Sequence, residues 1–375
     1  MIPRFVLGVA LAAVMVVVGT FSYIYLGSKQ SKIAAPPEKP TVSSPRAQSL
    51  VLPGTLYLTQ SGALYDLAAG RFHQLTGEEG WTQPSATPDG NSLLAVRQNA
   101  LFSDVYVLNR FGRVQRQVTD NASHQRFQDI GYNYWSFYPR LSPDGQTLWM
   151  TYDGLKCHPE CFDVSLAVWA MPFNGNIRQA HAWTDGGYYT GGDVQPIPIA
   201  GGVMYTKYSY GPDGKLVGQL WFTGRAGSFG RPLTDPSVDC RSPSVSPDGN
   251  QFAMVCTYEK QVSYLTIATW SGETIGPLKS IITNQLVAQP TWAPDGSGIA
   301  YLAPGAPAGP FQLWWLPKAA YAPPPPSPSP SPTPGGPHNG PLPSPSPIPA
   351  APAVKPIQVT TNNGFDATSP MLWLG

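Results

Sequence analysis

Six times along the chain an apolar residue is followed by threonine, and six times a proline follows a short distance later. The pairs are Leu75-Thr76, Val118-Thr119, Trp183-Thr184, Leu233-Thr234, Ile282-Thr283 and Val359-Thr360; the prolines are Pro84, Pro139, Pro196, Pro243, Pro290 and Pro370. Self-similarity at a period of roughly 40–50 residues marks a radial or solenoid array, whose units bury their apolar faces against one another.

Each unit reads as four short strands opened by its proline. In the clearest copy these are Pro243 to Val245, Gln251 to Thr257, Ser263 to Trp270 and Leu278 to Thr283, with β-branched and aromatic residues at alternate positions. The first connection is written almost identically four times, as Thr87-Pro88-Asp89-Gly90, Ser142-Pro143-Asp144-Gly145, Ser246-Pro247-Asp248-Gly249 and Ala293-Pro294-Asp295-Gly296. Proline presets a type I turn and glycine takes the left-handed position after it, so a three-residue hairpin loop is expected. Four-stranded units around an axis make an all-β, six-bladed β-propeller. One blade must come from both ends of the chain: Gly54 to Thr59, Ala63 to Ala68 and Phe72 to Thr76 lack a first strand, and Pro370 to Leu374 supplies it.

The blade pattern Gln-Pro-Thr-Trp-Ala-Pro-Asp-Gly-Ser-Gly-Ile-Ala-Tyr at 289–301, with its apolar-Thr ending, resembles the TolB-type repeat of WD-like β-propellers. The resemblance covers residues 51–375 and implies the fold, with recognition of a partner as the function to expect. Two blades depart from the pattern, since 195–202 and the C-terminal strand lack the Pro-Asp-Gly turn.

Ahead of the propeller, Phe5 to Leu26 carries no charge, and its 22 residues would span ~33 Å as a helix, enough for a hydrocarbon core. Residues 1–27 are therefore expected to be an uncleaved transmembrane signal anchor, attaching the protein to the membrane, and 28–50 a flexible tether rich in Pro, Ser and Lys. The cysteines orient it. Cys240 and Cys256 lie symmetrically about Asp248 and should face each other across a hairpin; Cys157 and Cys161 share one loop, where disulfide formation competes with metal binding helped by His158 and Glu160. Two pairs, Cys157–Cys161 and Cys240–Cys256, without remainder imply an oxidising space, placing the propeller on the extracytoplasmic side.

The interval from Thr283 to Thr360 is 77 residues, against 50 and 49 for the two preceding blades. The excess matches a low-complexity run rich in proline at 322–352, read as an insertion between the third and fourth strands of the blade opened by Pro290. It is either an extended spacer or proline-motif ligand, or an insertion with no binding role.

The gaps from threonine to proline are 8, 20, 12, 9, 7 and 10 residues, and the longest holds an aromatic cluster. Connections from fourth to first strand and from second to third share one face of a propeller. On that face the candidate ligand-binding residues are Trp81, Arg126, Phe127, Tyr132, Tyr134, Trp135, Tyr188, Tyr189 and Tyr208. Tyrosine and tryptophan join a broad apolar face to a polar tip, which suits a protein or a cell-envelope glycan; packing of the loop onto the propeller is the competing role. Charged residues are 12% of the chain and net charge is +1, without a basic patch, so nucleic acid is not expected as a partner. No nucleophile elbow, zinc motif or dinucleotide fingerprint is present, and neither a catalytic residue, a metal nor a cofactor is assigned. The expectation is a non-catalytic binding or scaffold protein. The alternative is a propeller lyase or hydrolase of glycans acting at the same face.

Overall fold

A computed structural model describes residues 50–156, 164–187, 190–211, 213–258, 262–322 and 354–375. The expected membrane anchor at 1–27, the tether up to residue 49, the Cys157–Cys161 pair, Tyr188, Tyr189 and nearly all of the Pro-rich run lie outside them. Among the described residues no helix is long and apolar enough to cross a membrane.

The chain forms a six-bladed propeller of four-stranded antiparallel blades. From the axis outward, blade one pairs Leu372–Leu374, Thr55–Gln60, Ala63–Ala68 and Arg71–Gln74. Blade two is Trp81–Ala86, Ser92–Gln98, Ser103–Asn109 and Val114–Gln117; blade three is Ser136–Leu141, Thr147–Tyr152, Ala167–Pro172 and His181–Ala182. Blade four is Asp193–Ile199, Gly202–Tyr210, Leu216–Thr223 and Arg231–Pro232. Blade five is Asp239–Val245, Gln251–Tyr258, Val262–Thr269 and Lys279–Ile282; blade six is Ala288–Trp292, Gly298–Pro304, Phe311–Pro317 and Ile357–Gln358. The ring closes through blade one, where Leu56 faces Trp373 and Tyr57 faces Leu372. In blade six, Trp314 and Trp315 pair with Gln358 and Ile357 across the long sequence interval.

The apolar-Thr signature has a specific backbone task. Each fourth strand is short, and in five blades the residue pair after it keeps bonding to the third strand. Leu75, Val118, Trp183, Leu233 and Val359 donate N–H to Leu64, Val105, Val168, Leu220 and Leu313 carbonyls at 2.7–2.8 Å. The following threonine hydroxyl then accepts the N–H of that same third-strand residue at 2.9–3.0 Å. Threonine thus satisfies a buried N–H beyond the end of the ladder, which an apolar residue there would leave unpaired.

The Pro-Asp-Gly turns are one residue longer than expected. Ser246 N–H donates to Gln251 O at 2.9 Å and Gly249 N–H to Ser246 O at 2.9 Å, which leaves the four residues 247–250 in the loop. Asp248 accepts from the Ser246 hydroxyl and the Asn250 N–H, and these bonds hold its carboxyl below the usual carboxylate range. Gly249 sits at φ +72°, a conformation that a side chain would oppose.

The innermost strands also begin earlier than the prolines that were expected to open them. In blades two to six the proline lies inside its strand, at a bulge. Register shifts fall between Thr82 and Ser85, Phe137 and Arg140, Val194 and Ile197, Arg241 and Ser244, and Ala288 and Thr291. At each, two residues oppose one, and the proline takes the position where no ladder N–H is needed. The residue before it, Gln83, Tyr138, Gln195, Ser242 or Gln289, is left-handed, with φ between +46° and +55°.

This bulge also sets the disulfide. Cys240 and Cys256 are directly opposed and bonded, with Cα atoms 4.1 Å apart. The longer turn shifts the register by one residue and the bulge at Ser242-Pro243 shifts it back, so the simple symmetry about Asp248 survives through two compensating offsets.

The core is divided. The buried apolar residues form six clusters, each between neighbouring blades: Leu56 and Trp373 with Leu302 and Trp315, for example, or Leu94 and Val105 with Leu148 and Met150. Stability therefore comes from blade-on-blade contact. The axis is left to a channel.

Candidate functional site: the channel and its loop face

The five left-handed residues form a collar around the channel. Gln83 Oε1 accepts the Tyr138 N–H at 2.7 Å, joining blade two to blade three, and Gln289 Nε2 donates to Ala367 O at 3.0 Å, joining blade six to blade one. Gln83 N–H donates to Ser369 Oγ at 2.8 Å, and Ser369 Oγ lies 2.9 Å from Thr59 Oγ1. A left-handed residue ahead of proline runs against the local preference for extended backbone, and strain of this kind, of order 1–3 kcal/mol, persists only where surroundings impose it. Tyr138, Gln195, Ser242 and Gln289 line both the cavity above the collar and the cavity below it.

On the side of the long connections the cavity measures about 560 Å³ and is lined by Phe137, Tyr138, Tyr208, Arg241 and the collar glutamines. Burial pushes the Tyr138 and Tyr208 hydroxyls up, the latter opposed by the Arg241 guanidinium beside it. Both remain neutral donors and acceptors at physiological pH. Arg241 lies 3.7 Å from Asp239 and is partly exposed, so it can still meet a ligand.

The 20-residue gap of blade three is an ordered loop built on a buried polar network. Asp104, on the third strand of blade two, accepts from Thr119 Oγ1 and Asn121 N–H, both at 2.9 Å. Asn121 Nδ2 donates to Ser103 O at 2.6 Å and Ser136 Oγ at 2.7 Å. Burial raises Asp104 to about 6 despite these bonds. Further along, Asn133 accepts from Ser123 N–H at 2.7 Å and donates to Phe127 O at 2.8 Å, while Asp129 caps the short 3-10 turn Ile130–Tyr132. Asp153 and Lys156, 3.0 Å apart and both buried, tie the loop from below: Asp153 accepts the Trp135 N–H at 2.7 Å, and Lys156 donates to the Asn133 carbonyl.

The expected site residues are thereby sorted. Arg126 stacks over the Tyr132 ring at 4.4 Å, and Phe127, 40% exposed, meets Phe102 edge-on at 5.7 Å. Trp135 stacks on Phe137 at 5.9 Å, and Phe137 adjoins Tyr138 at 6.3 Å, so an aromatic path runs from the loop into the channel. Tyr208 lines that channel. Tyr134 instead packs inward, against Tyr152 at 5.6 Å and beneath Lys156. Trp81 is 3% exposed, within the core between blades one and two, edge-on to Tyr106 at 5.3 Å. It starts an innermost strand, and its place in the pleat turns it toward the neighbouring blade. Sequence reasoning missed the collar. The available signal was the dipeptide Gln-Pro, which occurs at 83–84, 195–196 and 289–290. Among the described residues no group of three His, Cys, Asp or Glu converges as a metal site would require.

No family model matches the chain, and no curated protein matches it. Among solved structures it is similar to TolB from Acinetobacter baumannii, with a TM-score of 0.51 at 14% identity over 70% of this chain and 61% of that one. It therefore spans less than two thirds of that relative. A putative TolB from Agrobacterium tumefaciens gives 0.49 at 14% identity over 71% of this chain and 84% of that one. A puromycin-hydrolysing peptidase from Mycobacterium tuberculosis gives 0.44 at 13% identity over 68% of this chain and 41% of that one. At such identities the similarity is one of fold.

Proposed function

We propose that the chain is a non-catalytic, membrane-anchored binding protein whose TolB-like propeller recognises a protein or a cell-envelope glycan on the extracytoplasmic side, through the loop face of blade three and the channel it opens into. The observation that carries the reading is the aromatic path Trp135–Phe137–Tyr138, running from the ordered loop to a cavity lined by tyrosine hydroxyls, amides and one arginine. Rigid loops presenting aromatic faces beside a few oriented polar groups suit recognition. The extracytoplasmic placement rests on the uncharged segment from Phe5 to Leu26 and is supported by the Cys240–Cys256 disulfide.

The test is capture by the immobilised full-length chain, from cross-linked envelope protein and from a panel of envelope glycans, compared with a Trp135→Ala, Arg126→Ala double variant. Loss of about tenfold or more in retained ligand is expected, the scale of a small hot spot. Equal capture sinks the proposed face, and turnover of a panel glycan replaces binding with the lyase or hydrolase reading.

A further inference from the structure

The opposite mouth of the channel, on the side of the Pro-Asp-Gly turns, is a cavity of about 420 Å³. One residue from each blade lines it at the position following the proline: Ser85, Arg140, Ile197, Ser244, Thr291 and Met371. Five of the six are uncharged, so the repeat does not require a charge there. Among the described residues Arg140 is the sole charged one of the lining, which otherwise mixes polar residues, Tyr138, Gln195, Ser242 and Gln289 among them, with apolar ones such as Val245, Trp292 and Trp373.

A guanidinium in such a place is costly unless something answers it. Arg140 is partly buried, its side chain has no hydrogen bond or ion pair among the described residues, and burial pushes it down to about 10 with no opposing charge. It stays protonated at neutral pH. In the adjoining blade the Ser85 hydroxyl also has no partner among the described residues, but it is closed off from the cavity. Ser85 and Arg140 occupy equivalent positions in blades two and three, whose innermost strands pack side by side. Two other polar groups of the lining are paired, Thr291 Oγ1 donating to Met371 O at 3.2 Å and Trp292 Nε1 to Ser244 O at 3.1 Å.

We infer that this cavity is a binding site for a monocarboxylate, held by the Arg140 guanidinium. The planar guanidinium fork matches the two oxygens of a carboxylate. One cation neutralises one negative charge, and a second, as on phosphate, would find no countercharge in the lining. The volume falls in the range of small-molecule sites. The carboxylate can belong to a free acid or to the C-terminus of a peptide. This site is on the other face from the proposed loop surface and stands independently of it.

Two probes separate the sources: 3-phenylpropionate, and acetyl-Leu-Phe with a free C-terminus, each measured against its own carboxamide on the full-length chain by calorimetry and by the shift in Tm. At least one acid is expected to bind, with its amide roughly 10- to 100-fold weaker, as loss of a charge-assisted pair implies. Arg140→Met is expected to weaken the acid to the same extent while leaving the ligand-free Tm equal or higher, since a partly buried charge without a protein partner is removed. The acid-against-amide comparison on the unmodified chain needs no variant to fold. Silence from both acids, equal binding of acid and amide, an unaltered affinity in Arg140→Met, or tighter binding of inorganic phosphate than of either acid each overturns the assignment.

Discussion

The two mouths of the channel share one collar of bulges and differ in almost everything else. On the turn side four of the six first connections are nearly identical Pro-Asp-Gly turns, and Arg140 is the one charged group of the walls among the described residues. On the loop side the connections run from 7 to 20 residues between threonine and proline, and the walls carry amides, tyrosines and Arg241. The repeat dictates backbone, not chemistry: four blades share the turn, five the bulge and five the threonine bond that closes the ladder, while the side chains facing the axis are free to vary. A departure from the repeat at an axial position is therefore a sharper sign of function than an aromatic residue in a long loop, which has packing to do as well.

The largest effect should come from breaking the ring both mouths share. Deleting the last eight residues, Thr368 to Gly375, removes the innermost strand of blade one, together with Met371 and Trp373, which are 3% and 8% exposed. Trp373 donates its indole N–H to Pro53 O at 2.6 Å and packs edge-on against Trp315 at 5.5 Å. Two buried side chains at roughly 1.5–3 kcal/mol each, with the ladder bonds, put the loss at about 5 kcal/mol or more, comparable with the stability of a domain. Calorimetry should show no cooperative transition near that of the intact chain. A truncated chain that melts like the full one would mean the ring needs no closure and the mouths are not coupled through it.

The sequence carried the ring because blade number, strand number and closure all rest on residues that recur for backbone reasons: threonine at the ladder end, proline at the bulge, glycine in the turn. It did not carry the collar, because a left-handed residue before proline opposes the local preference, and only contacts with neighbouring blades impose it. Nor did it carry the loop network. Asp104, Asn121 and Asn133 read as ordinary polar residues, and only the fold shows that they are buried and satisfied by one another and by the backbone. The neighbours of Trp81 in sequence suggest a loop, whereas the strand begins at that residue. Arg140 passed unremarked because charge matters there only once the cavity around it is known.

The loop side can be tested alone through Asp104. Its carboxyl titrates at about 6 in the folded chain, chiefly through burial, against 3.8 as a free side chain. Below pH 3.8 it is protonated in both states, and its contribution to stability is fully present. Between 3.8 and 6 the folded state binds more protons than the unfolded one, so that contribution declines as pH rises and is lost above about 6. The decline is at most on the order of 3 kcal/mol, less what partial solvent screening removes. Asp104→Asn removes this titration, so the Tm difference between variant and parent should move in the variant's favour from pH 4 to pH 7. Parallel curves would show that the loop is not held over a buried carboxylate, and the contrast between an anchored loop face and a repetitive turn face would weaken.

The smallest effect probes the collar itself. Ser242 is left-handed at φ +53°, and its side chain makes no hydrogen bond among the described residues. Glycine there relieves a strain of roughly 1–2 kcal/mol at an entropic cost of roughly 0.5–1 kcal/mol, so Ser242→Gly should stabilise the fold by up to about 1 kcal/mol. Tyr138, at the same backbone position with φ +53°, adjoins Phe137 and is partly buried. Tyr138→Gly gains the same relief but loses the ring, and should be destabilising by about 2 kcal/mol. Chemical denaturation of the two variants therefore predicts opposite signs at equivalent positions. If Ser242→Gly also destabilises by 1 kcal/mol or more, the bulge is not strained, and the collar is a passive consequence of the repeat rather than a conformation the blades impose.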